Sequence, residues 1–271
     1  PPPLPPPPHP PPAPPPAAPP PAPPPPPVAA STDPSDPQVI ALIREAQAAQ
    51  RDNNYLEARI KALEAHRRAP PNSPLQRRAE EVLNHVNVQL VLTPRQMPEK
   101  VDYTVRPGDS LERIARNHGT TIELVRRSNN VRGSLIRAGD RMRIFTGKFS
   151  IHVSKSANEL VLYMNDDFFK RYRVGTGEFN RTPVGDFVIT DRIAEPTWWR
   201  PDGRSFPFGH PENLLGTHWL GFNIRGYGIH GTWEPDTIGH QLSAGCVRML
   251  NEEVEELFTL VTTGTPVTIV D

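Results

Sequence analysis

Residues 243–249 read SAGCVRM and hold the single cysteine of this 271-residue chain. A lone cysteine forms no internal disulfide, and by default it is a small buried hydrophobic side chain. Cys246 and Arg248 are two positions apart, so on a strand they face one side while Val247 and Met249 face the other. A guanidinium beside a thiol favours the thiolate. The stretch therefore predicts a reactive cysteine on a strand of a β-rich domain.

A histidine, His230, precedes this cysteine by sixteen residues, within residues 229–233 (IHGTW). A free thiol has a pKa of about 8.5, and a nearby imidazole and guanidinium lower it. We therefore predict that His230 is a general base for Cys246. Gly245 lacks a Cβ, which leaves backbone N–H groups accessible to an oxyanion. The alternative is a core histidine with no chemical role.

These motifs resemble the catalytic domain of the L,D-transpeptidases, which have a histidine-glycine pair followed by a Ser/Thr-x-Gly-Cys motif. The resemblance implies that Cys246 is the nucleophile, His230 the base, and Arg248 a residue that binds substrate or organises the site. It also implies oxyanion donors at the amides of Gly245 and Cys246. Substrate contacts are expected at the motif residues Ser243 and Gly231. Many family members have a second histidine at the position of Ala244, and any role of that side chain is absent here.

The remainder of residues 149–271 has the pattern of short alternating strands separated by turns. Strands are predicted over 150–154, 160–164 and 168–174, followed at the end by a helix capped by Asn251 and a last strand over 265–270. Residues 175–177 and 182–187 resemble substrate-side segments of the same family. The long aromatic stretch 196–216 is predicted to form a lid that binds substrate through Trp198 and Trp199, and the alternative is a packed surface loop.

A separate βααβ unit is predicted over residues 101–146, with one helix capped by Ser110 and a second opened by a capping box of Thr120 and Glu123. The unit resembles a LysM domain, a family that binds glycans containing N-acetylglucosamine. For some of its polar residues the alternative is simple helix capping. The resemblance implies glycan contacts at Gly108, Asp109, Ser110, Asn129, Asn130 and Arg132.

The N-terminal third is predicted to contain two further segments. Residues 1–37 hold 23 of the 36 prolines, so residues 1–35 are predicted to be a disordered or polyproline tether, or alternatively a proline-rich recognition ligand. Residues 36–96 are predicted to be a helical neck with N-caps at Asp36 and Ser73. One helix pair in it resembles a tetratricopeptide unit, which is too few for a binding array.

The composition limits the partners of the chain. Basic and acidic side chains are equal at 30 each, which argues against nucleic acid as a main partner. No apolar run reaches the roughly 20 residues of a membrane span. Because the chain begins on proline, we expect that an export signal is missing from this segment. The predicted fold class is multidomain α+β.

The functional expectation is a cysteine-dependent L,D-transpeptidase that acts on peptidoglycan stem peptides through a thioester. The resemblance implies peptidoglycan as the partner, through both stem peptides and glycan strands, and a location in the cell envelope, in periplasm or wall, with a role in wall biogenesis and cell shape. An L,D-carboxypeptidase using water as acceptor and a non-catalytic wall-binding protein are the alternatives. No cofactor is expected, and the histidines lack the close spacing of a metal site.

Overall fold

The computed structural model describes residues 35–200 and 202–271, so the proline-rich segment predicted over 1–35 lies almost wholly outside the described residues. It combines helices with a β-rich curled sheet. The helices are α1 (Pro37–Arg51), α2 (Tyr55–Arg68), α3 (Pro74–Leu92), α4 (Leu111–His118), α5 (Ile122–Ser128) and α6 (Asn251–Leu260). The strands are β1 (Lys100–Thr104), β2 (Arg141–Phe145), β3 (Phe149–Ser154), β4 (Glu159–Met164), β5 (Asp167–Arg173), β6 (Thr176–Gly177), β7 (Gly185–Ala194), β8 (Trp198–Trp199), β9 (Ser205–Phe206), β10 (His218–Phe222), β11 (Gly228–His230), β12 (Gln241–Ser243), β13 (Val247–Arg248) and β14 (Pro266–Val270).

Two of the three N-terminal helices, α1 and α3, begin as predicted from their caps. The Asp36 carboxylate accepts hydrogen bonds from the backbone of Gln38 and Val39, and the Ser73 hydroxyl accepts one from the backbone of Gln76. Both caps satisfy amide groups that a first helical turn leaves unpaired.

These helices, which occupy the segment predicted as a helical neck, pack on the large sheet. The buried amide of Asn87 on α3 donates to the carbonyls of Phe168 and Phe169 on β5, at 3.3 and 2.9 Å. Leu90 of the same helix lies in the main hydrophobic core of the sheet. The apolar face of α3 therefore stabilises the sheet directly.

A cluster of charged side chains reinforces this contact. Glu80 of α3 is 3% exposed, and its carboxylate accepts hydrogen bonds from Arg171 of β5 at 2.8 and 2.9 Å. Its Oε1 also lies 3.3 Å from Nε2 of His66 on α2. Burial raises the pKa of Glu80, but the hydrogen bonds from His66 and Arg171 outweigh it and lower the pKa to about 2.

The predicted βααβ unit is present, with β1 and β2 paired antiparallel and α4 and α5 between them. Ser110 caps α4 as predicted, since its hydroxyl accepts from the Arg113 amide. The cap of α5 is Thr121 and not Thr120. Thr121 Oγ1 accepts from the Leu124 amide and also donates to the Thr259 carbonyl of α6. The second bond explains why Thr121, one position later than predicted, is the cap.

Besides the Thr121 hydrogen bond, apolar packing and an arginine side chain connect this unit to the sheet domain. Leu124 of α5 belongs to the main core cluster. Arg192 of β7 donates to Glu123 of α5 at 3.2 Å and to the Phe258 carbonyl of α6 at 2.6 Å. An excised βααβ unit would therefore expose apolar surface that the intact chain buries.

The large sheet has the strand order β13-β11-β10-β7-β14-β3-β4-β5, and α6 packs against its core. Strand β11 pairs with β13 in parallel, which brings two segments distant in sequence side by side at one end of the sheet. Asn251 does not cap α6 as predicted, because Leu250 is the N-cap residue. The Asn251 side chain instead accepts from the Thr217 amide next to β10, at 3.1 Å.

Within residues 35–200 and 202–271, the helices are all too short or too polar to span a membrane.

Candidate active site

The parallel pair β11 and β13 places the predicted histidine and cysteine motifs together. Ile229 lies opposite Val247, and His230 lies opposite Arg248. Ile229 and Val247 are fully buried in the main core. Because side chains alternate along a strand, His230 and Arg248 face the other side of the sheet. Val247 and Met249 are buried in the core as the alternation predicts, but Cys246 lies in the bend just before β13 and not on a strand as expected.

The turn before Cys246 has a close approach that only glycine permits at position 245. Gly245 has a φ of +136°, and a Cβ there would lie 2.8 Å from the ring of Tyr227. Its amide donates to Ser243 Oγ at 3.1 Å, and Ser243 Oγ in turn donates to the Cys246 carbonyl at 2.6 Å. The Gly245 amide is therefore already paired, which corrects the expectation that it is a free oxyanion donor.

Ser243 and Gly231 are both buried next to the candidate site. Ser243 is 3% exposed, and its hydroxyl donates to the Cys246 carbonyl and so stabilises the cysteine turn. Gly231 is also buried, and a Cβ there would lie 2.1 Å from Asn251 Oδ1. The substrate contacts expected for these two residues stay a prediction.

The tautomer of His230 follows from one hydrogen bond. Its Nδ1 lies 2.6 Å from the Gly231 carbonyl oxygen, which can only accept. Nδ1 therefore carries the proton, and Nε2 of the neutral ring has the free lone pair of a base. Across the described residues no hydrogen bond joins this imidazole to the thiol, and Cys246 Sγ instead donates to the Gly226 carbonyl at 3.4 Å.

Burial dominates the protonation of both groups. It raises the pKa of the Cys246 thiol to about 11, against smaller lowering effects of a backbone hydrogen bond from Gly228 and the charge of Arg248. Burial also lowers the pKa of His230 to about 4. Both shifts favour a neutral thiol and a neutral imidazole, which is the opposite direction from the lowered thiol pKa expected from the sequence. The cost of removing a charge from water exceeds the attraction of one guanidinium.

Arg248 is held near the thiol by an acidic partner. Its Nη1 lies 3.2 Å from Glu234 Oε2, and its side chain is 11% exposed. The buried Nε has no partner among the residues that the structure describes. The pairing with Glu234 leaves part of the guanidinium available to an anionic ligand.

Within the aromatic stretch 196–216, β8 pairs antiparallel with β9. The buried Asn213 amide anchors it by donating to the carbonyls of Pro196 and Phe206. Trp198 packs on Phe206 with ring centroids 5.8 Å apart, whereas Trp199 is 74% exposed. Phe208 reaches Trp233, three residues after His230, with centroids 6.2 Å apart. Substrate contacts of Trp198 and Trp199 stay a prediction.

The residues predicted to bind glycan fall into two groups. The first group forms local hydrogen bonds. Asp109 accepts from the Tyr103 hydroxyl and the Arg106 amide, and Ser110 caps α4. The Asn129 side chain both donates to and accepts from the backbone of Arg143. Gly108 and Asn130 form turns with positive φ, and Arg132 is exposed. Glycan contact by these residues stays a prediction, and Arg132 has the freest side chain of the set.

The sequence interpretation missed the glycine and aromatic residues that shape the cysteine pocket. Residues 226–228 (GYG) place the Gly226 carbonyl, the Tyr227 ring and the Gly228 backbone against the cysteine turn. The signal was present as two glycines flanking an aromatic residue just before the histidine motif.

We expect Gly177→Ala to impair activity more than stability. A Cβ at Gly177 would lie 2.7 Å from the Thr182 amide nitrogen and 2.9 Å from Gly245 Cα, both of them backbone atoms. Making room must shift the turn that holds Cys246, and small misplacements of reacting groups are costly. Turnover should fall roughly tenfold or more, while unfolding free energy falls by about 1–3 kcal/mol.

Gly264→Ala is the matched control for that experiment. It adds a methyl group at φ +86° with nothing within 4 Å, so it strains the backbone far from Cys246. It should cost stability with little change in turnover. Equal losses of activity in the two variants would refute a special role of Gly177.

Comparison with known proteins agrees with this architecture. Residues 148–269 match the L,D-transpeptidase catalytic domain family (YkuD), and residues 103–145 match the LysM domain family. The chain is 35% identical to YkuD of Bacillus licheniformis, over 62% of this chain and 97% of that protein, and 37% identical to YqjB of Bacillus subtilis, over 44% and 69%. Both relatives are named for the L,D-transpeptidases.

Among solved structures, an L,D-transpeptidase from Mycobacterium smegmatis is matched with a TM-score of 0.41 and 17% identity, over 49% of this chain and 64% of that one. The identity of 35% across 97% of a relative's length decides the family. This chain belongs to the L,D-transpeptidase family and carries a LysM domain.

Proposed function

We propose that the chain is a cysteine-dependent L,D-transpeptidase that acts on peptidoglycan stem peptides. The observation that carries the proposal is the parallel pairing of β11 with β13, which sets His230 opposite Arg248 beside the bend that holds Cys246. A base, a nucleophile and a fixed cation in one place are the groups that acyl transfer requires.

Cys246 attacks the peptide carbonyl of the donor stem while its proton passes to His230 Nε2. Because the thiol and imidazole rest in their neutral forms, this transfer accompanies the attack and does not precede it. The thiol turns from the Gly226 carbonyl toward Nε2 when the donor binds. The Gly231 carbonyl stabilises the imidazolium that forms, through Nδ1–H.

The tetrahedral intermediate collapses as the C–N bond breaks, and the released amine of the terminal D-alanine takes the proton from His230. A thioester on Cys246 remains. The acceptor amine then attacks the thioester carbonyl, its proton passes through His230 to the leaving sulfur, and the thiol is restored. Of the two expected oxyanion donors, the Cys246 amide is the one that the proposal retains, since the Gly245 amide is bound to Ser243.

Arg248 receives a carboxylate of the stem peptide in this scheme. Its unpartnered Nε and its nearly complete burial suit a charge-assisted hydrogen bond with an anion. The exposed Glu234 competes for the same guanidinium, so an incoming carboxylate has to displace it.

Intact-mass and muropeptide analysis after incubation with isolated tetrapeptide muropeptides tests the proposal. Transpeptidation predicts an acyl-enzyme adduct on the protein and crosslinked dimers in solution. Trimmed tripeptide without dimers would show an L,D-carboxypeptidase that uses water at the same site. Absence of adduct, dimer and tripeptide together would leave a non-catalytic wall-binding protein and overturn the proposal.

The LysM domain is proposed to anchor the enzyme on glycan strands, which places the protein in the cell envelope, in periplasm or wall. We expect the full-length chain to bind N-acetylglucosamine oligomers in a calorimetric titration, and Arg132→Ala to weaken binding roughly fivefold, as for one lost hydrogen bond of about 1 kcal/mol. The full chain is required because α5 shares its core with the sheet domain.

Arg116→Ala is the control for glycan binding. Arg116 lies on α4, is 70% exposed and forms only an exposed pair with Glu112. Its loss removes the same charge from the same domain and should leave the titration unchanged. If neither variant changes binding, the exposed arginine after α5 is not part of the glycan site.

A further inference from the structure

Trp219 lies directly across from the proposed base. It pairs with His230 in the antiparallel ladder of β10 and β11, so the two side chains share one face of the sheet. The two rings are stacked, with centroids 5.9 Å apart and an interplanar angle of 22°. One face of the imidazole is therefore covered by an indole.

Two glycines leave the space that the indole occupies. Gly221 and Gly228 form the neighbouring cross-strand pair on the same face. A Cβ at Gly228 would lie 2.9 Å from Trp219 Cζ2, and one at Gly221 would lie 2.8 Å from Trp219 Nε1. The indole thus lies flat across both glycines, and any side chain at either position would lift it.

The covered glycine also connects to the thiol. The Gly228 backbone hydrogen-bonds to Cys246, so the indole lies against the residue that contacts the nucleophile as well as against the base. The indole therefore contacts the proposed base directly and the proposed nucleophile through Gly228.

We propose that Trp219 is a positioning residue that fixes the plane of the His230 imidazole and excludes water from its face. The inference rests on the proposed function only for the role of His230 as base, since the stacking itself is a property of the fold. The indole packs but exchanges no proton, so its effect on chemistry acts through His230.

Its removal has a consequence for the titration of His230. Burial is the main cause that lowers the pKa of His230 to about 4, so hydrating one face of the ring must raise that pKa. The charged and titratable groups near the imidazole are unchanged in a Trp219 variant. They are Arg248 and Cys246 on the neighbouring segment, Glu234 paired with Arg248, and Asp191 beside the indole at Gly221. A change in the pKa of His230 is then caused by the loss of the indole.

The test is a titration of the His230 Cε1 proton by NMR, with the resonance assigned by its absence in His230→Gln. Trp219→Ala should raise the pKa by roughly one unit or more, and Trp219→Phe, which keeps a ring, by less. Gly221→Ala should shift it in the same direction by lifting the indole. This second variant keeps the indole's bulk and covers the case in which Trp219→Ala fails to fold.

Trp199→Ala is the matched control, because it removes an indole that is 74% exposed in β8. It should leave the His230 titration unchanged. A His230 pKa that equals the wild-type value in both Trp219→Phe and Gly221→Ala overturns the inference. Because the readout is a titration, absence of transpeptidase activity would refute the proposed function and leave this result standing.

Discussion

Replacing Cys246 by serine is expected to reduce turnover of tetrapeptide muropeptides by roughly 10³-fold or more, the scale seen when a catalytic nucleophile is lost. A serine hydroxyl is far harder to ionise than a thiol, and one neutral histidine cannot compensate. The two side chains are near-isosteres, and Sγ contacts only backbone groups that a hydroxyl can also bond, the Gly226 carbonyl and the Gly228 backbone. Thermal unfolding should therefore change little.

Ala244→Ser is the control for this variant. It adds a hydroxyl to the same turn at an exposed position, without touching the sulfur. Release of D-alanine and formation of dimers should continue in this variant and stop in Cys246→Ser. A serine variant that retained most of the activity would show that the nucleophile lies elsewhere.

Glu80→Ala is expected to cause the largest loss of stability, about 2–3 kcal/mol in urea unfolding. Truncating a buried, hydrogen-bonded carboxylate leaves its partner charges uncompensated, which typically costs about 3–5 kcal/mol. The estimate is reduced because Arg171 keeps Glu159 at 2.6 Å. The loss should appear as one cooperative transition, since α3 and the sheet share a core.

The pH dependence gives this prediction a second readout. The pKa of Glu80 is lowered in the folded state to about 2, so its contribution is complete above the unfolded value of about 4.5 and disappears as pH falls toward 2. The stability difference between the wild type and Glu80→Ala should shrink over that window. Glu112→Ala, in an exposed pair with Arg116, should cost less than about 0.5 kcal/mol at any pH. A Glu80→Ala variant as stable as this control would show that the cluster does not hold the helices to the sheet.

Local features of this protein could be predicted from sequence because their partners lie within a few residues. The caps at Asp36, Ser73 and Ser110 depend on a side chain and an amide two or three positions away. Thr121 shows the limit of this reasoning, since a carbonyl at Thr259, far along the chain, decides which of two adjacent threonines faces the helix.

The position of the three N-terminal helices on the sheet could not be predicted, because it also depends on partners far along the chain. Their boundaries follow from caps and prolines, but their position follows from the apolar face of α3 and from charges such as Glu80 and Arg171, which are 91 residues apart. A stripe of apolar residues shows that a helix packs against something without showing what it packs against.

The sequence by itself determined the motifs, the alternation that buries Val247 and Met249, and several helix starts, all of which are set by short-range geometry. Only the tertiary structure decided the state of the candidate site. The parallel register of β11 and β13 joins the histidine to the cysteine strand, the hydroxyl of Ser243 occupies the Gly245 amide, and Trp219 covers His230. The protonation of His230 and Cys246 depends on burial, which is a sum over neighbours from many segments, and no spacing within the chain encodes that sum.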